Sequence, residues 1–470
     1  MRARRRFPAG GLAAIAAAGS LALAGCSSPA TPSGAGQAAT GPGARLWASH
    51  FAGPGHVGDR AKAVAIGPDG MTVFVTGTFV LTSSPILREQ YGTIGYAAAT
   101  GRRLWVSRYG GAGDADVAAA IAVSPGGRAV FVTGESVRPV TNHSSASAYA
   151  TVAYDAVTGR QLWASRSTGH GAGNELAAKA ITVSPDGRTV FVTGEGPSGY
   201  LTIAYSAATG KQEWATSQDG GLWANAIAVS PDGRTLFVTG DAGRYVTIAY
   251  DARTGAQRWV SIAGSAGDTS PSAVSVSPDG QTVFVTGMTN DSFGTVAYNA
   301  ANGARRWASR WHAPFGYQDA ATAMAISPGG GTVYVAGYAG TDGDRRPKIV
   351  TLSYSARTGA RLWVREYQAP GMCRNIAASI AVGAGGRTVF VGGSSTIPEP
   401  AGRRPCDAGL DTIAYRAATG KQLWLERARA AAAFAGGVAV GRLTDTVVIT
   451  GGVRPRPRAG EHYATVAYRG

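Results

Sequence analysis

One spacing recurs through most of this 470-residue chain: a tyrosine, a glycine five residues later and a tryptophan four residues after that. Tyr96, Gly101 and Trp105 begin the series, followed by Tyr154, Gly159 and Trp163, then Tyr205, Gly210 and Trp214, then Tyr250, Gly255 and Trp259. Tyr298, Gly303 and Trp307 continue it, then Tyr354, Gly359 and Trp363, and Tyr415, Gly420 and Trp424. An eighth copy is split between the chain ends, with Tyr468 and Gly470 at one and Gly43 and Trp47 at the other. A spacing held this strictly implies one supersecondary unit in tandem, each copy covering the apolar face of the next.

Between each Trp and the next Tyr lies a second signature, typified by AIAVSPDGRTLFVTG at residues 226–240, where apolar and small residues flank a Pro-Asp-Gly turn. Pro presets φ for such a turn and Gly takes the positive φ that other residues resist, so two strands are joined with minimal chain. Each unit thus offers four strands, A to D, here AIAV, TLFVTG, YVTIAY and AQRWVS. Tandem four-stranded units are the signature of a β-propeller. The expected fold is all-β: a single eight-bladed propeller over residues 44–470. Its ring is closed by pairing strand D at 44–50 with strand C at 463–468, which removes open sheet edges. Composition agrees, since 68 Gly and 23 Pro with 44% hydrophobic and 15% charged residues exclude both a helical bundle and a disordered chain. Trp47, Trp105, Trp163, Trp214, Trp259, Trp307, Trp363 and Trp424 are read as docking residues between blades, because one per unit at fixed spacing fits core better than a ligand cage.

Residues 1–25 combine a basic segment, MRARRRF, with an apolar stretch too short to span a bilayer, the pattern of an export signal. Leu23-Ala24-Gly25-Cys26 resembles the lipobox of bacterial lipoproteins, which implies acylation of Cys26 and anchoring in the cell membrane on its extracytoplasmic side. Arg4-Arg5-Arg6-Phe7 also fits the core of a twin-arginine signal. Residues 26–43, rich in Ser, Pro, Gly and Ala, read as a flexible tether. The formal charge of +16 suits anionic lipid or cell-wall polymer. No dense Lys/Arg stripe marks a nucleic-acid surface, and none is expected to bind.

The C to D motif resembles the pyrroloquinoline quinone-type propeller repeat, A-x-D-x-x-T-G-x-x-x-W. Ala153, Asp155, Thr158, Gly159 and Trp163 match it fully, as do Ala249, Asp251, Thr254, Gly255 and Trp259. Other copies keep Gly and Trp but replace the Asp, with Ser206, Asn299, Ser355 or Arg416. The segment SPDGRTVFVTG is similar to repeats of WD40-like and YVTN-type propellers. These resemblances imply fold more than function, because the matching residues belong to turns and packing. Quinoprotein dehydrogenases of this fold hold pyrroloquinoline quinone with calcium at the ring centre, and many carry adjacent cysteines that stack on it. This sequence has no such pair. The resemblance equally covers non-catalytic propeller lipoproteins that bind proteins, including the one in the outer-membrane barrel-assembly machinery. That branch is the expectation: a monomeric binding or scaffold module without cofactor, with a quinoprotein-like or lactonase-like enzyme as the alternative.

In a propeller the A–B and C–D turns share one face and the B–C and D–A loops share the other. Only the second varies here, with segments such as 79–90, 136–148, 339–348 and 395–409, so a protein or cell-wall polymer partner is expected there. Counting back from the turn proline position, Asp59, Asp116 and Asp319 recur at nine residues, and Lys62, Lys179, Asn225, Ser272 and Thr322 at six. Asp59, Lys62, Asp116, Lys179, Asn225 and Asp319 are the candidate ligand site at the channel mouth. No nucleophile pairs with a base among them, so no catalytic residue is named. His50, His56 and His462, with Asp59 and Glu461, gather near the seam, but no spacing enforces metal geometry. Cys373 and Cys406 both fall on the variable face, and a disulfide is expected in an oxidising compartment.

Overall fold

The computed structural model describes residues 41–470 apart from 56–57, 83–87, 111–114, 142–143, 169–175, 198, 220–222, 265–268, 315–317, 341–345, 372, 397–405 and 457–458. The export signal, most of the tether, Cys26 and His56 therefore lie outside the described residues. Among the described residues thirty-two strands form antiparallel four-stranded meanders, and single bridges, Glu89 with Ala115 and Glu195 with Trp223, join two pairs of neighbouring meanders. The first is Arg60–Ile66, Thr72–Thr82, Arg88–Ala97 and Arg103–Tyr109, which we call strands A to D from the axis outward. The last has Ala432–Val440, Thr446–Arg454 and His462–Arg469 as A to C, and takes Arg45–Phe51 from the N-terminal end as D. Each strand A packs against the strand A of the next meander, and Ala432–Val440 packs against Arg60–Ile66, so the array closes on itself.

At the seam Trp47 stands opposite Ala467 and Ser49 opposite Thr465. His50 faces Ala464, where an unbroken ladder from Arg45 and Tyr468 would bring it to Tyr463, because the register shifts between Arg45 and Trp47. An extra residue in one strand displaces everything beyond it.

The repeated motif is an inter-blade lock. Seven of the eight docking indoles donate Nε1–H to a carbonyl in the next blade's C–D turn: Trp105 to Ala156 at 3.0 Å, Trp163 to Ala207 at 2.9 Å, Trp259 to Ala300 at 3.0 Å. Trp47, Trp214, Trp307 and Trp363 do the same with Ala98, Ala252, Ala356 and Ala417. The glycine of the next turn lies flat on that indole. At Gly255, φ is +73° and a Cβ would stand 2.6 Å from Trp214 Cε3. Trp424 meets Gly43 in the same way, locking the seam. A second tie runs deeper, where Tyr149, Tyr200 and Tyr463 donate their hydroxyls to the carbonyls of Leu201, Val246 and Gly92 in the next blade. The core is accordingly divided among the spaces between blades. In one of them Phe237 and Trp259 pack on Val274, Val283, Val285 and Tyr298 of the next meander.

Candidate functional site

The two faces differ in regularity. Every A–B turn has five residues between its strands, from 67–71 to 441–445, and so does every C–D turn from 98–102 to 417–421. The B–C connections vary, from the two residues between Thr141 and Ser144 in one blade to residues 397–408 in another.

Asp59, Asp116 and Asp319 do not line the channel mouth; each is fully buried at the start of a strand A. Asp319 accepts the Ala313 N–H at 2.6 Å and the Gly340 N–H at 3.1 Å, pinning the incoming D–A loop to the end of strand B. Asp59 holds the amides of Gly53, at 2.5 Å, and Val80, at 2.9 Å. Asn375 takes the same place in another blade, accepting from Ala369 N–H and donating to the Pro347 carbonyl, both at 3.0 Å. Nine residues before the turn, the side chain points beneath the loop and not at the axis. Buried amides need acceptors, and these side chains supply them.

The residues six before the turn behave differently. In every strand A the register shifts around this position, between Ala61 and Ala63, Ala178 and Ala180, Ala224 and Ala226, or Ala321 and Ala323. Lys62, Lys179, Asn225, Ser272 and Thr322 are thus the extra residues of β-bulges, a device that re-aims a side chain. Two of them brace the ring: Asn225 Nδ2 donates to the Pro271 carbonyl at 2.9 Å, and Thr322 Oγ1 to the Ala377 carbonyl at 2.8 Å, each in the next blade. Lys62 and Lys179 come close enough to repel, and burial first, then Lys179 and Arg60, lower the Lys62 pKa. The structure therefore divides the six candidate channel residues into three buried aspartates, of which Asp59 and Asp319 are loop latches, one brace, Asn225, and two lysines at bulges.

At the seam His50 and His462 are neighbours, and burial, then His462, lowers the His50 pKa. Glu461 is engaged by Arg60 at 2.5 Å and Arg454 at 3.2 Å. Among the described residues, no three His, Cys, Asp or Glu side chains converge as a metal ion requires.

The most elaborate construction on the loop face is one that pattern reading missed. Arg427, nearly buried, bonds Asp411 at 2.6 Å, Asp407 at 2.9 Å and the Tyr367 hydroxyl. Ser395 Oγ lies within hydrogen-bonding reach of both Asp411 and Asn375 Oδ1, and its single proton serves one of them at a time. Burial pushes the Asp411 carboxyl above its usual range, against the pull of Arg427. Beside this network Cys373 and Cys406 are joined, with Cα atoms 5.1 Å apart, which ties the C-terminal end of the long 397–408 connection to the incoming D–A loop. One signal was available: Asp411 occupies the strand C position held by Leu201, Val246, Gly294 and Ala464 in other blades. On the outer wall, an open cleft of about 420 Å³ lies between two D strands, lined by Arg310, Trp311, His312, Arg361 and Glu366.

Meanders stacked around an axis and locked by Trp on Gly define a multi-blade propeller of pyrroloquinoline quinone-type repeats. The family model described as outer membrane protein assembly factor BamB matches residues 90–220 and 147–384, and the chain belongs to that family. Its fold is similar to that of BamB from Moraxella catarrhalis, with TM-score 0.50 and 13% identity over 90% of this chain and 99% of that one. It is similar also to Chaetomium thermophilum Sqt1 bound to the N-terminus of ribosomal protein L10, with TM-score 0.60 and 13% identity over 90% and 98% of the two chains. The quinohemoprotein alcohol dehydrogenase of Comamonas testosteroni gives TM-score 0.58 and 13% identity over 91% and 76%. No curated protein matches the sequence.

Proposed function

We propose that this protein is a lipid-anchored, extracytoplasmic propeller, with signal 1–25, tether 26–43 and ring 44–470, that binds an envelope protein or polymer through its loop face without catalysing a reaction. The observation that carries the reading is the asymmetry of the faces. One is built from five-residue turns, while the other presents long connections braced by a buried ionic network and a disulfide. A connection tied down at Cys406 and Asp407 has less entropy to lose on binding, which is of use to a recognition surface. Likeness to Sqt1 bound to a ribosomal-protein segment supports a protein partner.

The donor set does not fit a calcium-held quinone at the axis. Calcium takes about 6–8 oxygen ligands, carboxylates prominent among them. The carboxylates nearest the inner strands, Asp59, Asp116 and Asp319, are buried beneath loops, and lysines stand at the bulges. We derive no quinone chemistry for this chain.

Photo-crosslinking in the native envelope tests the proposal, with the reactive residue at Trp223 on the loop face or Val157 on the turn face, both exposed. A discrete protein or polymer adduct is expected from position 223 and not from 157. Adducts from 157 alone, or turnover of an alcohol after adding quinone and calcium, would overturn it.

A further inference from the structure

The regular face carries a feature that its turns do not need. Met71 and Leu443, at the tips of two A–B turns that meet across the seam, are 70% and 72% exposed. The turns touch: a Cβ on Gly70 would lie 3.7 Å from Leu443 Cβ. In other blades the position of Met71 is Arg128, Arg188, Arg234 or Gln281. Arg45, Arg102 and Arg442 are exposed around the two apolar tips and make no ion pair among the described residues. The nearby acids are Asp69, which accepts the Met71 N–H at 2.9 Å, and Asp445.

The described chain begins at this same place. Gly43 N–H donates to the Arg469 carbonyl at 2.8 Å and Gly43 rests on Trp424, so the described chain enters the ring on the turn face at the seam, directly after the segment 26–40. A coil of the length and composition of that segment has a root-mean-square span of about 20 Å. A chain anchored at Cys26 would therefore hold the seam side of the turn face within reach of the bilayer, and Gly470 N–H, donating to the Asp445 carbonyl at 2.6 Å, ties that entry to the turn that carries Leu443.

We propose that this seam sector of the turn face is a docking surface for an anionic lipid bilayer. Met71 and Leu443 enter the boundary between headgroups and acyl chains, and Arg45, Arg102 and Arg442 meet the lipid phosphates, as in other interfacial apolar and basic surfaces. Docking here turns the loop face away from the membrane, toward a partner. The inference rests on the anchoring part of the proposed function for orientation, but the surface itself is testable without the anchor.

The experiment follows peroxide oxidation of Met71 by mass spectrometry in the mature chain, on vesicles of phosphatidylcholine with or without phosphatidylglycerol, with Met288 on the opposite face as the internal control. Oxidation of Met71 is expected to slow at least fivefold on the phosphatidylglycerol vesicles, with Met288 unchanged and the protection lost in the surface variant Leu443→Glu. Equal Met71 oxidation on both vesicle types overturns the proposal, as does protection in concentrated protein without vesicles, which would signify self-association. If the mass of Cys26 shows no acyl chain, the anchoring reading fails. The same comparison with vesicles added to the unacylated mature chain then decides docking separately.

Discussion

The turn face and the loop face use the same residue types under opposite conditions. On the turn face, Asp186, Asp232 and Asp279 sit in solvent-exposed turns, where hydroxyls from Ser184, Ser230 and Ser277 hold their carboxyls below the usual range. Asp251 is lowered to about 2, chiefly by Arg258. On the loop face, burial raises Asp319 and Asp411. Each turn Asp is satisfied by neighbours within a few residues, whereas Asp411 meets Ser395 and Arg427 from other strands. The regular face is thus a local solution repeated around the ring, and the variable face a set of single long-range solutions.

The largest test of this contrast is Arg427→Ala, which strands the buried Asp411. A loss of about 4 kcal/mol of unfolding free energy is expected by denaturant titration. The double variant Arg427→Met with Asp411→Leu should recover much of it, because no unpaired charge remains. A double variant no better than the single would show that the network does more than pair charges. Next comes the bridge. Replacing Cys373 and Cys406 with Ser frees a loop of sequence separation 33, for which loop closure gives about 3–4 kcal/mol. Proteolysis should then begin within 395–409 while the turn face stays intact.

A smaller effect is expected on the regular face. Gly255→Ala, with its positive φ and an indole 2.6 Å away, should cost about 2–3 kcal/mol. Gly329→Ala, with open space around it, should change unfolding free energy by less than about 0.5 kcal/mol.

The smallest effect is in pH dependence, where the two faces should have opposite signs. A carboxylate whose folded pKa is lowered, such as Asp251, adds stability above its unfolded pKa of about 3.9 and loses it as pH falls toward about 2. A raised one, such as Asp319, opposes folding when ionised, and that opposition fades as pH falls through its folded pKa. The stability gap between wild type and Asp251→Asn should therefore be constant above pH about 5 and shrink below about 4. For Asp319→Asn the contribution of ionisation should run the other way. Unfolding titrations across pH check both.

How much was legible follows the same division. Tyr, Gly and Trp at constant spacing gave the meander and the lock, because each residue's task is set by its immediate turn and the equivalent turn next door. Position counting brought Lys62 and Asp59 together as channel residues, yet the register shift between Ala61 and Ala63 separates their directions. Counting has no access to a bulge, which depends on the partner strand. The Asp411 network was similarly out of reach, since Asp407, Asp411 and Arg427 meet only after strands C and D pair and the loop folds back.

The sequence by itself determined the repeated strands, the tight turns and the seam that draws residues 45–51 to 462–469, because period-two alternation and positive-φ glycines are local constraints. Only the tertiary structure decided which polar side chains brace neighbouring blades, which vanish under loops, and that the turns carrying Met71 and Leu443 touch. Those outcomes depend on register and on contacts between distant segments, and no single stretch of chain contains them.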